Sequence, residues 1–400
     1  MHTRRSFIQH SGGLLAVVSA GMATACTKSL APPPTSPPVT TGISQLDDIG
    51  PLLEADPNGV RLPVGFTSRI VARSGEAPTP QSDYIWHDAP DGGAVFELAN
   101  NGWVYVSNSE VSRRSGGVGA LVFDAHANVV DAYSILSDTT SNCAGGAMPW
   151  GSWMSCEEFS DGQVWECDPL NSKAAQVYPQ LGSFAHEAVA YDTDTDILYM
   201  TEDRRDGGLY RFVPDQLTAD GFADFSAGQL QIAVVNPADY SIDWQLVPDP
   251  LARTTPTRKQ VVSATRFNGG EGIVYFGGKV IFATKGDNVI WSYDTVSNAL
   301  STLYEFASSP SPVLSGVDNI GLTLDGEPII SEDGGDLQIV ALTKSGKVAP
   351  IVQLIGHDRS EIAGPAFSPD GKKLYFSSQR GTTGRSRDGL IFEISGPFHT

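Results

Sequence analysis

Short acidic clusters recur along this chain beside apolar runs. They are Asn108-Ser109-Glu110, Cys156-Glu157-Glu158, His186-Glu187, Glu202-Asp203, Gly270-Glu271-Gly272, Asp318-Asn319 and Glu332-Asp333. Most fall where a strand ends or in the turn that follows. Carboxylates brought to one place repel, and only protonation or bound cations relieve them. Oxygen donors suit Ca²⁺, and a thiolate such as that of Cys156 among them favours a transition metal. Taken singly, each acid is an ordinary turn residue, Cys156 a small buried hydrophobe and His186 a satisfied core or loop histidine. Only convergence makes them a site. No Gly-x-Ser-x-Gly elbow, P-loop, His-Glu-x-x-His or EF-hand loop is present. The cluster Gly116-Gly117-Val118-Gly119 reads as a turn. Cys143 and Cys167 could pair in an oxidising compartment, but with Cys156 between them the sequence chooses no pairing.

Such a site needs elements that carry side chains to one point. The sequence offers many short runs rich in β-branched and aromatic residues, such as Trp103-Val104-Tyr105-Val106, Ile197-Leu198-Tyr199-Met200 and Lys373-Leu374-Tyr375-Phe376. Helical periodicity is almost absent. Asp-Gly pairs at Asp91, Asp161, Asp206, Asp220, Asp325, Asp333, Asp370 and Asp388, with Asn-Gly at Asn101 and Asn268, supply hairpin turns. Successive runs such as Val280–Ala283 and Val289–Tyr293 look like neighbouring strands of one small sheet. The fold expected is all-β, a β-propeller of short antiparallel four-stranded sheets, whose loops at one end meet on the axis. A large sandwich or jelly roll is the competing fold. The net charge of −20 argues against a nucleic-acid partner and fits a protein that binds cations.

The N-terminus is an address. Thr3-Arg4-Arg5-Ser6-Phe7-Ile8 resembles a twin-arginine export signal, and Gly12 to Ala25 is too short and too rich in Gly and Ala to span a membrane. Ala23-Thr24-Ala25-Cys26 resembles a lipoprotein cleavage site. The organisation expected is a signal over 1–25, a Pro-rich tether over 26–48 with a lipid anchor at Cys26, and one propeller over 49–400. The expected location is the periplasm or cell envelope.

Larger motifs carry a resemblance. Asn142-Cys143-Ala144-Gly145-Gly146 leads to Pro149-Trp150-Gly151-Ser152-Trp153-Met154-Ser155-Cys156-Glu157-Glu158, and Gly162-Gln163-Val164-Trp165-Glu166 follows. Downstream stand His186-Glu187-Ala188, Tyr199-Met200-Thr201-Glu202-Asp203-Arg204 and Glu361-Ile362-Ala363-Gly364-Pro365-Ala366-Phe367. Together these resemble the PhoX-type phosphatase family of bacteria. The resemblance implies six blades and a central site with Fe³⁺ and Ca²⁺. It implies Cys156 and Glu271 as iron ligands, Glu157 bridging toward calcium, and Glu187 and Glu202 as further metal ligands. Asp203, Glu110 and Asp333 are additional candidates. The implied substrate is a small phosphomonoester, and the implied state a monomer.

The chain departs from the family pattern at two places. An Arg that holds phosphate is expected two residues before Glu271, and Gly269 stands there, with Arg266 nearby as a substitute. Arg204 stands where an acid is expected and either binds phosphate or removes a calcium ligand. Three functions follow as expectations. The first is a metal-dependent phosphomonoester hydrolase with Arg204 and Arg266 against the phosphate. The second is a non-catalytic envelope propeller that binds a ligand or partner. The third is another metal-assisted hydrolase, a lactonase or diesterase.

Overall fold

The computed structural model describes residues 42–400. Their strands form six antiparallel sheets, joined by turns and loops. Each sheet has one edge strand that lies innermost: Pro90–Glu97, Asn142–Ala147, His186–Asp192, Gly270–Phe276, Val317–Leu322 and Ile362–Phe367. Each of these packs against its counterparts in the two adjoining sheets, and the sixth packs against the first. They form a closed inner ring, so the protein is a six-bladed propeller. Four blades have the expected four strands; the third and fifth have five.

The chain closes the ring with its own start. Thr67–Arg73 is the outermost strand of the sixth blade, paired with Leu390–Ser395, and Val60–Arg61 pairs with Val348–Leu354 at the edge of the fifth. Interlacing of this kind removes the open edges that a ring of separate sheets would leave. The last residues of the expected tether are part of the domain. Ser44 forms a bridge to His399, and Leu46 is buried between the fifth and sixth blades. The export signal, Cys26 and the rest of the tether lie outside the described residues.

The apolar core lies between blades. Six clusters of buried side chains fill the six blade–blade interfaces. Trp103, Tyr105 and Phe123 of the first blade meet Tyr375 and Ile391 of the last, which closes the ring. Alternation along each strand sends one side chain to the blade before and the next to the blade after. The hairpin signals at Asn101, Asp325 and Asp370 sit in turns that join an inner strand to the strand after it, with Asn101 at φ 62°. Asp91-Gly92 does not form a turn. It lies within an inner strand, because the axis needs a residue with no side chain there: a Cβ on Gly92 would lie 2.5 Å from Ala144 Cα of the next blade.

Phe376 and Phe392 stack at 5.3 Å in the interface between the fifth and sixth blades. Phe376→Ala should cost about 3–5 kcal/mol, read as a lowered midpoint in denaturant unfolding. A variant as stable as the parent would contradict this account of the core.

Candidate metal centre

The inner strands share one irregularity. In five of them the ladder slips at the same step: Pro90/Gly93, Asn142/Gly145, His186/Val189, Gly270/Ile273 and Val317/Ile320. A bulge adds a residue and re-aims a side chain. The residue after the slip begins is Asp91, Cys143, Glu187, Glu271 or Asp318, and all five are buried. The sixth strand slips one residue out of step, at Ala363/Ala366, and its blade supplies Glu361 from just before the strand. Close approach of the inner strands gathers these groups. A Cβ on Gly272 would stand 2.5 Å from Ile320 N of the next blade.

A second tier comes from the strand that follows in each blade. In three blades that strand ends in an acid followed by another acid: Glu157-Glu158, Glu202-Asp203 and Glu332-Asp333. The first acid of each pair staples loops. Glu157 accepts from Thr140 N at 2.8 Å, Gln163 N at 3.2 Å and Trp165 Nε1 at 3.1 Å. Glu332 accepts from Ser315 N and Gln338 N. Glu202 takes Gly208 N and Tyr210 Oη, and Arg258 Nη1 at 2.9 Å. The second acid turns to the axial mouth. Glu110, Lys285 and Gln379 hold the same position in the other blades.

The two tiers meet in four overlapping groups, each with ligand atoms within 4.8 Å of one another: Cys143, Glu158 and Glu187; Glu187, Glu271 and Asp318; Asp318, Asp333 and Glu361; Asp91, Glu110 and Glu361. Cys143 Sγ donates to Glu187 Oε1 at 3.5 Å. Asn108 holds the bulge behind Cys143 by donating to the carbonyls of Cys143 and Ala144, and its own oxygen accepts from Trp153 Nε1. Thr201 Oγ1 fixes the Glu271 carbonyl at 2.5 Å.

Among the described residues three cations reach these acids, each partly exposed. Lys285 Nζ lies 2.9 Å from Glu271 Oε1 and 3.2 Å from Asp333. Arg380 lies 3.0 Å from Glu361, and Arg204 3.6 Å from Glu158. They are too few. Burial, with the Asp203 and Glu110 charges, pushes Glu158 up to about 8. Burial raises Asp318 to about 6 despite Lys285. Glu187, Glu271, Asp91 and Glu361 are raised well above the ordinary carboxyl range, each first by burial and then by neighbouring carboxylates. Burial and the acids around it also raise the Cys143 thiol. For Lys285 burial works downward, but Asp318, Glu271 and Asp333 outweigh it and hold the ammonium charged. Charged carboxylates at this density require more positive charge than the protein supplies. The donor set, oxygen-rich with one thiol, fits hard cations together with a metal that accepts sulfur.

Several sequence expectations change here. Cys156 does not face the axis; it is buried among Met154, Phe184 and Met200 between the second and third blades. Cys143, one strand earlier, supplies the thiol. The strand ends at Glu157, so alternation holds Cys156 on the core face with Met154 but does not carry on to Glu158, which reaches the axis past the strand's end. Glu157 and Glu202 are spent on loops and cations, as above. Arg266 is exposed, donates to the Arg258 carbonyl and lines a separate hollow with Tyr240 and Trp291. Cys143, Cys156 and Cys167 are all free and buried. His186 stacks on Phe184 in the core. The structure does bring Glu187, Glu271, Glu110 and Asp333 together, places Asp203 beside the space over Gly269, and sets Arg204 at the mouth. Sequence reasoning missed Asp91, Lys285 and Arg380 as site residues, and gave Glu158, Asp318 and Glu361 no individual role. The available signal was the repeat of an acid or thiol opening one strand and another acid closing the next.

A family model described as alkaline phosphatase PhoX matches residues 87–165 and 160–290, about half of the chain. Among solved structures, Pseudomonas fluorescens PhoX in complex with vanadate, a transition state analogue, is similar over 87% of this chain and 97% of its own, at 17% identity and a TM-score of 0.70. That likeness shows the fold. Two looser likenesses carry no argument. One is a protein of unknown function from Bacteroides thetaiotaomicron (10% identity, 82% of this chain and 76% of its own, TM-score 0.49). The other is a gluconolactonase from Xanthomonas campestris (14% identity, 87% and 98%, TM-score 0.45). None of the curated proteins matches.

Two outcomes follow from the geometry. Cys143→Ser should lower bound transition metal, measured by elemental analysis, while Cys156→Ser should leave it unchanged and lower only stability; the reverse pattern would refute the assignment. In protein stripped of metal, Glu158 and Asp318 keep protons that the unfolded chain releases near its ordinary carboxyl values. The stability these two groups contribute is therefore fully present below about pH 4 and is lost as pH rises toward about 8. The thermal midpoint of chelated protein should fall across that window, and metal should reverse the fall. A midpoint that is flat or rises would disprove the electrostatic account.

Proposed function

Because the chain belongs to the alkaline phosphatase PhoX family and is a phosphoric monoester hydrolase of that family, we propose that its axial cluster holds Fe³⁺ and Ca²⁺ and hydrolyses small phosphomonoesters in the bacterial cell envelope. The observation that carries this reading is the convergence of Cys143, Glu158, Glu187, Glu271 and Asp318 on one end of the axis. On this reading Cys143 and Glu187 hold iron with Glu158, Glu271 and Asp318. Asp91, Glu110, Glu361 and Asp333, all oxygen donors, hold calcium. Such cations supply Lewis-acid and electrostatic stabilisation to the phosphoryl transition state.

The chain's own cations orient the substrate. Gly269 offers no side chain, and its backbone is left-handed at φ 72°, with Asp203 Oδ1 3.2 Å from where a Cβ would be. An arginine does not fit there without displacing Asp203. Arg204 and Arg380 instead stand on opposite sides of the mouth, Arg204 3.6 Å from Glu158 and Arg380 between Glu361 at 3.0 Å and Glu110 at 3.9 Å. Guanidinium groups suit bidentate contact with phosphate oxygens. Thr201 and Asn108 hold the backbone beneath the reacting centre. The envelope location draws support from the twin-arginine pattern at Arg4-Arg5, with Cys26 as the anchor. Among the described residues no helix is long and apolar enough to cross a membrane.

Protein exported by a native-type host should contain iron and calcium and release phosphate from p-nitrophenyl phosphate. Glu271→Ala should lower kcat/KM by at least about a hundredfold, and Arg380→Ala should act mainly on KM. Phosphate release that survives Glu271→Ala unchanged would refute the site.

A further inference from the structure

The ends of the second strands give each blade one rim position, filled by Glu110, Glu158, Asp203, Lys285, Asp333 and Gln379. Four are acids and one a neutral amide. The fourth blade alone presents a cation. Lys285 follows Thr284, and Thr284 pairs with Gly270 beside Glu271. The ladder therefore delivers its side chain to the axis as it does the acids. Nζ lies 2.9 Å from Glu271 Oε1, 3.2 Å from Asp333 Oδ2 and 3.9 Å from Asp318 Oδ2. Glu271 Oε1 is buried, and the Lys285 ammonium 2.9 Å away is the charge that faces it.

Carboxylates from two blades around one compact charge are the surroundings of a bound cation. An ammonium is a point charge and fills such a place better than a planar guanidinium does. It is also covalently held, so its presence does not depend on the calcium concentration outside the cell.

We propose that Lys285 is a resident cation of this centre. It fills the cation position between the fourth and fifth blades, and the centre accordingly holds fewer divalent ions than its carboxylates would accept. This rests on the metal-centre reading above and goes beyond it. Lys285→Glu restores the acid that the other blades favour and changes the local charge by two, which one divalent ion offsets.

The test uses the full exported chain, equilibrated with graded Ca²⁺, with metal content measured by elemental analysis and stability by thermal unfolding. Lys285→Glu should bind about one more Ca²⁺ per chain than the parent, and its midpoint should climb more steeply with Ca²⁺. Equal metal content and equal Ca²⁺ dependence in parent and variant would overturn the proposal. Should Lys285→Glu fail to fold, Lys285→Gln serves: its midpoint should depend on Ca²⁺ more strongly than the parent's, and an unchanged dependence would overturn the proposal equally. Parent protein that takes up no metal at all would overturn the centre itself, a result distinct from metal uptake that ignores position 285.

Discussion

Mutual repulsion among buried carboxylates is the constraint to which the rest of the fold answers. Asp91, Glu187, Glu271, Asp318 and Glu361 are withdrawn from water, and each is pushed toward its protonated form. A fold governed by stability alone would have scattered them, since burying a charge without a partner is costly. This one holds them together through a bulge repeated from blade to blade. The irregular ladder costs hydrogen bonds, and the stability that tolerates it is held elsewhere.

That stability lies between the blades. Each blade shares an apolar cluster with both neighbours, and the ring closes through the aromatic side chains of the first and last blades. Because the interfaces are filled from strand faces, the acid-bearing end of the axis is not needed for the core. It is free to be polar and narrow, and glycines at its closest approaches let the inner strands converge. Closure also fixes the blades against the separation that the acids would otherwise drive, which is why the strand from Thr67–Arg73 matters to a site it does not touch.

Much of this was legible in the sequence. Short β-branched runs and turn pairs indicate a propeller, and the recurring acids indicate a cation site. Glu187, Glu271 and Asp333 reach it. What was not legible was the direction of side chains around the bulges. In Cys156-Glu157-Glu158 a strict alternation does not say which member faces the axis, because the strand ends within the motif. The first acid turned out to staple loops and the second to reach the mouth. Asp91-Gly92 carries the signature of a hairpin turn and lies instead in an inner strand, where the neighbouring blade's backbone excludes a side chain. Arg266 is close to Glu271 along the chain, but its guanidinium turns outward to the Arg258 carbonyl.

The long motif around Pro149–Glu158 shows how densely one hairpin is committed. Trp150 Nε1 and Ser152 Oγ both bind Glu166, which also accepts from Tyr178, and this ties the turn to the blade's outer strands. Trp153 Nε1 holds Asn108, which in turn holds the bulge beneath Cys143. Met154 and Cys156 fill the interface with the third blade. Glu157 joins three segments, and only Glu158 is left to face the mouth. A motif of this kind is specific because nearly every residue has a partner of fixed chemistry, and one ligand position requires all the others to place it.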